Sequence, residues 1–253
     1  MYILAIETTG PLGSAAVIDE KGSVSLAVSA EEMNHLKDLM PMSRRLLQQL
    51  QIEPQDLTAV AASIGPGSFT GIRIGVASAR AVAQALSIPA LAVPSLDSFK
   101  LMCGSGSLTV PVFNARRGQV YGGIYGENGE DILQSGPYML TDVLSSVSGY
   151  LSENIGIKVT FYGDGVDAYE EQLAAFCRQN GDLAEIRMAE KKQRYQNAAM
   201  TARVALDKYR AGERLSPEEL QPDYMRTTEA EQKLKDGRLA AERAAKLARF
   251  RSR

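Results

Sequence analysis

The sequence predicts an α/β protein of two lobes, each a β-meander followed by α/β elements, and three observations carry that reading. Residues 2–29 break into short apolar runs separated by tight glycine-bearing turns. Residues 57–86 then run strand, glycine-rich loop, helix. After Gly104-Ser105-Gly106 a meander starts again and is again followed by α/β elements, although no residue-level repeat is visible. The expected organisation is a first lobe over 1–105, a second over 106–226 and a basic tail over 227–253. With 253 residues in all, each lobe is long enough to bury its own core without disulfides or metals.

In order, strands are expected at Tyr2–Glu7, Ser14–Ile18 and Ser23–Val28, paired antiparallel because their turns are short. Apolar residues at helical spacing make Met33–Gln51 a helix that should kink or restart at Pro41, which has no N–H to donate. Leu57–Ile64 reads as a strand, Gly65–Gly71 as a loop and Ile72–Leu86 as a helix, with Ser68 or Thr70 as its cap. Leu91–Val93 is a short strand, and Ser95 with Asp97 opens a helix ending near Gly104. The second lobe should contain strands at Leu108–Phe113, Gln119–Tyr125 and Asp131–Gln134, then a helix over Asp142–Glu153 capped by Thr141. A strand at Lys158–Tyr162, a turn at Gly163-Asp164-Gly165 and helices near Ala168–Arg178 and Ala198–Arg210 complete it. The Ala/Glu/Lys/Arg-rich tail is expected to be a helix, either docked through Leu239, Ala240, Leu247 and Phe250 or left solvated.

Charge is unevenly distributed. Residues 226–253 hold nine Lys/Arg against four Asp/Glu, which leaves 19 Lys/Arg against 26 Asp/Glu in the acidic remainder. Autonomous RNA binding by that body is disfavoured on charge. No apolar run reaches the length of a membrane helix, so a cytoplasmic location without membrane contact is expected. Cys103 and Cys177 are read as reduced thiols, because there is neither a CxxC nor a group of histidines.

Candidate chemistry is sparse. The Gly65–Gly71 loop opens a helix and offers backbone amides to an anion; alternatively, its glycines serve close strand–helix packing. It lacks the Gly-Lys-[Ser/Thr] ending of a phosphate-binding P-loop. A single His35 cannot build an imidazole-based metal site, and no G-x-S-x-G elbow accompanies it. A carboxylate-only magnesium site stays open, with Glu7, Asp19, Asp97 and Asp164 as the acids near a cleft. Arg116 and Arg117, in the turn that starts at Asn114, are either a clamp for phosphate or carboxylate or ordinary surface arginines.

Six segments taken in order resemble the TsaB family: Ile3–Thr9, the His35 helix with Leu39-Met40-Pro41, Gly65–Gly75, Asn114–Arg117, Gly163-Asp164-Gly165 and Pro222–Arg226. The run GPGSFTGIRIG is the most specific, and the likeness covers about residues 1–226. The resemblance implies the two-lobed actin-like ATPase (ASKHA) fold. It implies a non-catalytic subunit in tRNA threonylcarbamoyladenosine synthesis that pairs with a catalytic TsaD-like subunit, joined by a TsaE-like ATPase. That assembly transfers a threonylcarbamoyl group to N6 of the adenosine beside the anticodon. Alone, the chain is expected to form a homodimer, and tRNA is expected only through the complex. No cofactor or metal of its own is expected, with ATP or ADP at the boundary with the partner as the sole candidate. The catalytic relative's histidine pair is absent, since Leu39 stands four residues after His35; Glu7 and Asn114 stand where the family usually has Asp.

The same resemblance places pairing on first-lobe helices. The candidate interface residues are Leu36, Leu39, Met40, Ser43 and Leu47 on one helix and Arg73, Val76, Ala79, Arg80 and Ala83 on the next. Gly75, Ala79 and Ala83 form a row of small residues that permits close helix approach, whether to a partner or to the chain's own core. Two other classes stand beside this reading: a freestanding ATP-dependent phosphotransferase of the actin-like superfamily, and a metallopeptidase-like hydrolase.

Overall fold

The structure, a computed structural model, describes residues 1–30 and 35–225, without the side chains of His35 and Leu36. The start of the first helix at Met33 and the tail helix over 227–253 therefore lie outside the described residues. Met1–Asp223 form one compact unit.

The first sheet contains β1 (Tyr2–Glu7), β2 (Ser14–Asp19), β3 (Val24–Val28), β4 (Leu57–Gly65) and β5 (Ala90–Pro94), in the order β3-β2-β1-β4-β5. The first three form the antiparallel meander, while β4 and β5 join parallel. The second sheet contains β6 (Ser107–Asn114), β7 (Gln119–Tyr125), β8 (Asp131–Met139), β9 (Lys158–Tyr162) and β10 (Glu185–Met188), in the order β10-β9-β6-β7-β8. Read from its own first strand, that order repeats the first sheet's: three meander strands on one side, two parallel strands on the other. The duplication seen only as an order of elements in the sequence is thus a duplication of topology.

Strand β1 is buried on both faces because it lies at the centre of its sheet, which is why Ile3-Leu4-Ala5-Ile6 is uniformly apolar. Its two faces meet different helices. Ile3 and Ala5 pack with Ala16, Ile18, Ala59, Ala61, Leu91 and Val93 against Ala198, Ala202, Ala205 and Leu206 of α7 (Ala198–Arg210). Leu4 and Ile6 face the side covered by α1 (His35–Gln49) and α2 (Phe69–Leu86). Helix α7 lies in the range 106–226 yet completes the first lobe, because its alanine-rich face sits closely on a sheet surface that would otherwise meet water. The second lobe's core joins β6, β7 and β9 to α3 (Leu140–Glu153) and α5 (Glu170–Asn180) through Val110, Ile124, Val143, Phe161 and Phe176. Between the lobes, fully buried Phe99 stacks its ring 5.8 Å from Phe113 and 5.4 Å from Tyr162.

Several local expectations differ from the structure. Helix α1 continues through Pro41, which is exposed, because Leu39, Met42, Leu46 and Leu47 anchor both sides of it to the core. Strand β8 runs on to Met139, paired with Gln119, so α3 starts at Leu140 after Met139 and Thr141 is inside it rather than its cap. The expected helix after Asp97 is a six-residue 3-10 segment, and that near Ala168 divides into α4 (Gly165–Ala168) and α5. Edge strand β10 escaped the sequence reading: it has four residues, none fully buried, and it is a strand through its parallel pairing with β9.

Candidate partner interface

The carboxyl ends of β1 and β4 meet in a closely packed polar cluster. Thr8 Oγ1 donates to the Gly71 carbonyl at 2.7 Å, and Ser68 N donates to the Thr9 carbonyl at 2.8 Å. A Cβ on Gly67 would meet the Thr9 carbonyl at 2.6 Å, and one on Gly71 or Gly75 would collide with Thr8. The Gly65–Gly71 loop therefore serves strand–helix approach. Two of its amides are engaged internally: Ser68 N by the Thr9 carbonyl and Gly71 N by the capping Ser68 Oγ.

Glu7 is wholly buried in this cluster, its Oε1 accepting from Thr9 N at 2.5 Å and Thr9 Oγ1 at 2.6 Å. Ser95 Oγ and Gln196 Nε2 both donate to Thr9 Oγ1, at 3.1 and 3.2 Å. Burial pushes the Glu7 carboxyl above the ordinary range, against the lowering effect of hydrogen bonds from Ser63, Thr9 and Gly10. Burial likewise raises Asp97 and Asp164. Among the described residues, no three His, Cys, Asp or Glu side chains gather as a metal site. Asp19 caps its own β2–β3 turn through Lys21 N and Ser23 N.

Helices α1 and α2 diverge above Leu4 and leave an apolar groove of about 850 Å³. Its floor and walls come from Leu4, Ser43, Leu47, Ile52, Val82 and Leu86, with Met40 and Arg44 at the rim. Nine of the ten candidate interface residues separate into two sets. Leu39, Ser43, Leu47, Val76, Ala79 and Ala83 are buried within the chain, though Ser43 and Leu47 still line the groove. Met40 is 44% exposed, Arg73 is exposed with its guanidinium 4.1 Å over the exposed Phe69 ring, and Arg80 is half-buried. Leu36 has no described side chain. The small-residue row faces the chain's own core, since Thr8 occupies the space beside Gly75. The solvent-facing stripe is instead Met40, Arg44 and Gln48, one position over from Leu39, Ser43 and Leu47. Its i,i+4 spacing was present in the sequence, but an arc of apolar residues this wide has no marked edge.

On the second lobe, the turn after β6 is held tightly. Arg116, Arg117 and Gly118 all have positive φ, at 66°, 56° and 77°. Each of the two arginines costs about 1–2 kcal/mol in this region. The turn is kept by Asn114 Oδ1, which accepts from Arg116 N at 2.8 Å and from Tyr169 OH at 3.2 Å, and by Gly118 N donating to Tyr169 OH at 3.1 Å. Asp164 Oδ1 accepts from Asn114 N at 3.0 Å. The segments Asn114–Arg117 and Gly163-Asp164-Gly165, distant in sequence, are therefore in contact.

Two sheets of identical strand order, one per lobe, each with helices packed against it, define the two-lobed actin-like class. Its solved neighbours include YeaZ from Pseudomonas aeruginosa, with a TM-score of 0.66 and 22% identity over 88% of this chain and 99% of that one. Another is a protein with similarity to peptidase YeaZ from Pseudomonas aeruginosa, at 0.68 and 23% over 89% and 99%. Residues 29–234 match TsaD, tRNA N6-adenosine threonylcarbamoyltransferase, and the chain belongs to that family. It is also similar to the tRNA threonylcarbamoyladenosine biosynthesis protein TsaB of Bacillus subtilis, 38% identical over 57% of this chain and 65% of the relative. The TsaB of Escherichia coli K12 is 28% identical over 59% of this chain and 68% of its own. Over the first relatives the match spans between about half and just under two thirds of their length.

Proposed function

We propose that this chain is a non-catalytic subunit of a tRNA threonylcarbamoyladenosine synthase, and that it pairs with a catalytic TsaD-like subunit through the groove between α1 and α2. The observation that carries the reading is that groove: apolar, open to solvent and rimmed by exposed Met40. In such a pairing, Met40 and a partner's apolar side chain would fill the groove over Leu47 and Val82, while Arg44 would set orientation from the rim. The catalytic subunit then performs threonylcarbamoyl transfer to N6 of the adenosine beside the anticodon. A TsaE-like ATPase joins them, and the same surface serves a homodimer when the chain is alone.

What supports a scaffold over an independent phosphotransferase is the engagement of the Ser68 and Gly71 amides by the chain itself and the close packing of the glycines on Thr8 and Thr9. One histidine in the whole chain leaves no imidazole pair for a catalytic metal. ATP or ADP, where it joins the assembly, is assigned to the boundary with the partner.

The test uses substitutions that leave the core intact. Met40→Glu combined with Ala85→Glu places two carboxylates at the groove without touching a buried side chain. Co-purification with the catalytic subunit should be lost while the thermal midpoint of the free chain stays within a few degrees of wild type. Retained co-purification by the folded double variant would refute the groove as the interface.

A further inference from the structure

We infer that Glu7 and Gln196 form a proton-dependent rivet between the lobes: neutral Glu7 donates from Oε2 to the Gln196 side-chain oxygen, directly or across one water, and loss of that proton releases the crossing that Gln196 closes. This crossing, residues 189–197, is the return of the chain from β10 to α7 and so from the second sheet to the first. Three successive side chains on it grip both lobes. In the second, Arg194 Nη1 and Tyr195 OH donate to the two oxygens of Asp167 in α4, the latter at 2.8 Å, and the Arg194 carbonyl accepts from Gly163 N at 2.7 Å. In the first, Gln196 Nε2 donates to Thr9 Oγ1, Ala198 N donates to Ser14 Oγ at 2.9 Å, and Thr201 Oγ1 lies 3.1 Å from Ser63 Oγ.

Two oxygens of this seam have no hydrogen-bond partner among the described residues: Glu7 Oε2 and Gln196 Oε1. Their residues are only 0% and 5% exposed, so bulk solvent does not satisfy them. Both groups border the same two residues. Thr9 Oγ1 stands between them, 2.6 Å from Glu7 Oε1 and 3.2 Å from Gln196 Nε2. Gly10 N acts on the Glu7 carboxyl, and a Cβ on Gly10 would lie 3.0 Å from the Gln196 amide carbon and nitrogen. Two buried acceptors cannot satisfy each other, but one proton on the acid makes them donor and acceptor. Glu7 Oε1 already accepts from Thr9 N and Thr9 Oγ1, so that proton belongs on Oε2. Ser63 Oγ, which also acts on the carboxyl, is shared with Thr201.

The surroundings favour the neutral acid. The elements around Glu7 offer it Ser14 from β2, Ser63 from β4, Ser95 after β5 and Gln196 before α7, and no ionised group is among the causes acting on its carboxyl. Charges on those elements stand elsewhere: Asp19 is at the far end of β2 opposite Tyr2, Arg73 and Arg203 are exposed on α2 and α7, and Asp97 is paired with Lys100. Burial therefore acts on Glu7 without a cation to offset it. With the proton in place, the lobes are held as one piece; without it, the crossing keeps its grip on Asp167 and loses its fit in the first lobe.

The experiment uses the full chain. The Glu7 side-chain carboxyl is titrated by carbon-13 NMR, and hydrogen exchange of residues 189–198 is followed at each pH and corrected for the intrinsic rate. Protection of the crossing should be full in acid, fall by up to about tenfold per pH unit as pH climbs from the ordinary carboxyl range to the Glu7 midpoint, and level off beyond it. Glu7→Gln donates as the neutral acid does and cannot ionise, so its protection should stay flat over that range. Gln196→Met fills similar space without an acceptor and should lower the Glu7 midpoint by about 0.5–1 pH unit, whereas Ser63→Ala should not lower it. Protection of the wild-type crossing that does not change with pH would overturn the inference. So would a Glu7 midpoint unmoved by Gln196→Met, or lowered by Ser63→Ala instead. Should Gln196→Met fail to fold, the contrast between wild type and Glu7→Gln decides by itself.

Discussion

Glu7 shows how one side chain's surroundings set its charge. It ends a central strand, has no exposure, and is met by hydroxyls and amides without a cation among the causes that act on its carboxyl. Its folded pKa is raised, so the folded chain holds a proton that the unfolded chain releases. Stability is therefore full below the ordinary carboxyl pKa and falls as pH climbs toward the raised value, by at most about 1.4 kcal/mol per pH unit. Glu7→Gln keeps an acceptor for Thr9 and cannot ionise. Its thermal midpoint should match wild type in acid and exceed it increasingly as pH rises. A difference that stays flat from acid to neutral pH would mean that Glu7 ionises alike in folded and unfolded chains.

At the level of elements, adjacent stripes of α1 do different work. Leu39, Ser43 and Leu47 belong to the core or the groove floor, whereas Met40, Arg44 and Gln48 reach solvent. Leu47→Ala should cost about 2–5 kcal/mol, because it removes a buried side chain beside an existing groove. Met40→Ala should cost the isolated chain much less, within about 0.5 kcal/mol of wild type. Denaturant titration of the two variants separates these outcomes, and equal losses would place both stripes in the core. The element pattern itself was largely legible: nearly every strand of both meanders and the helix over 72–86 stand where turns and periodicity put them. Strand β10 was not, because Glu-Ile-Arg-Met alternates over only four residues, none of them buried, a run too short to mark a strand.

Over the whole molecule, the lobes are interdependent. The first sheet's α7 face is covered by residues that come after the second sheet in the chain, and Phe99 joins the lobes through Phe113 and Tyr162. A fragment of residues 1–105 would leave Ile3, Ala16, Ile18, Leu91 and Val93 open to water. It should be recovered unfolded or aggregated, with poor amide dispersion by NMR, and should regain structure when co-expressed with residues 106–223. A well-dispersed spectrum from 1–105 alone would show that α7 is dispensable to that lobe.

The sequence by itself determined the order and kind of most elements and the class of fold, because strand and helix periodicities and turn residues are local signals. It also set the absence of an imidazole pair, which is a matter of composition. Only the tertiary structure decided which stripe of α1 faces solvent, that the glycine run packs on Thr8 and Thr9, and that α7 returns to the first sheet. Each of those depends on contacts between residues tens to hundreds of positions apart. No periodicity along the chain encodes which partner will cover an apolar face or consume an amide.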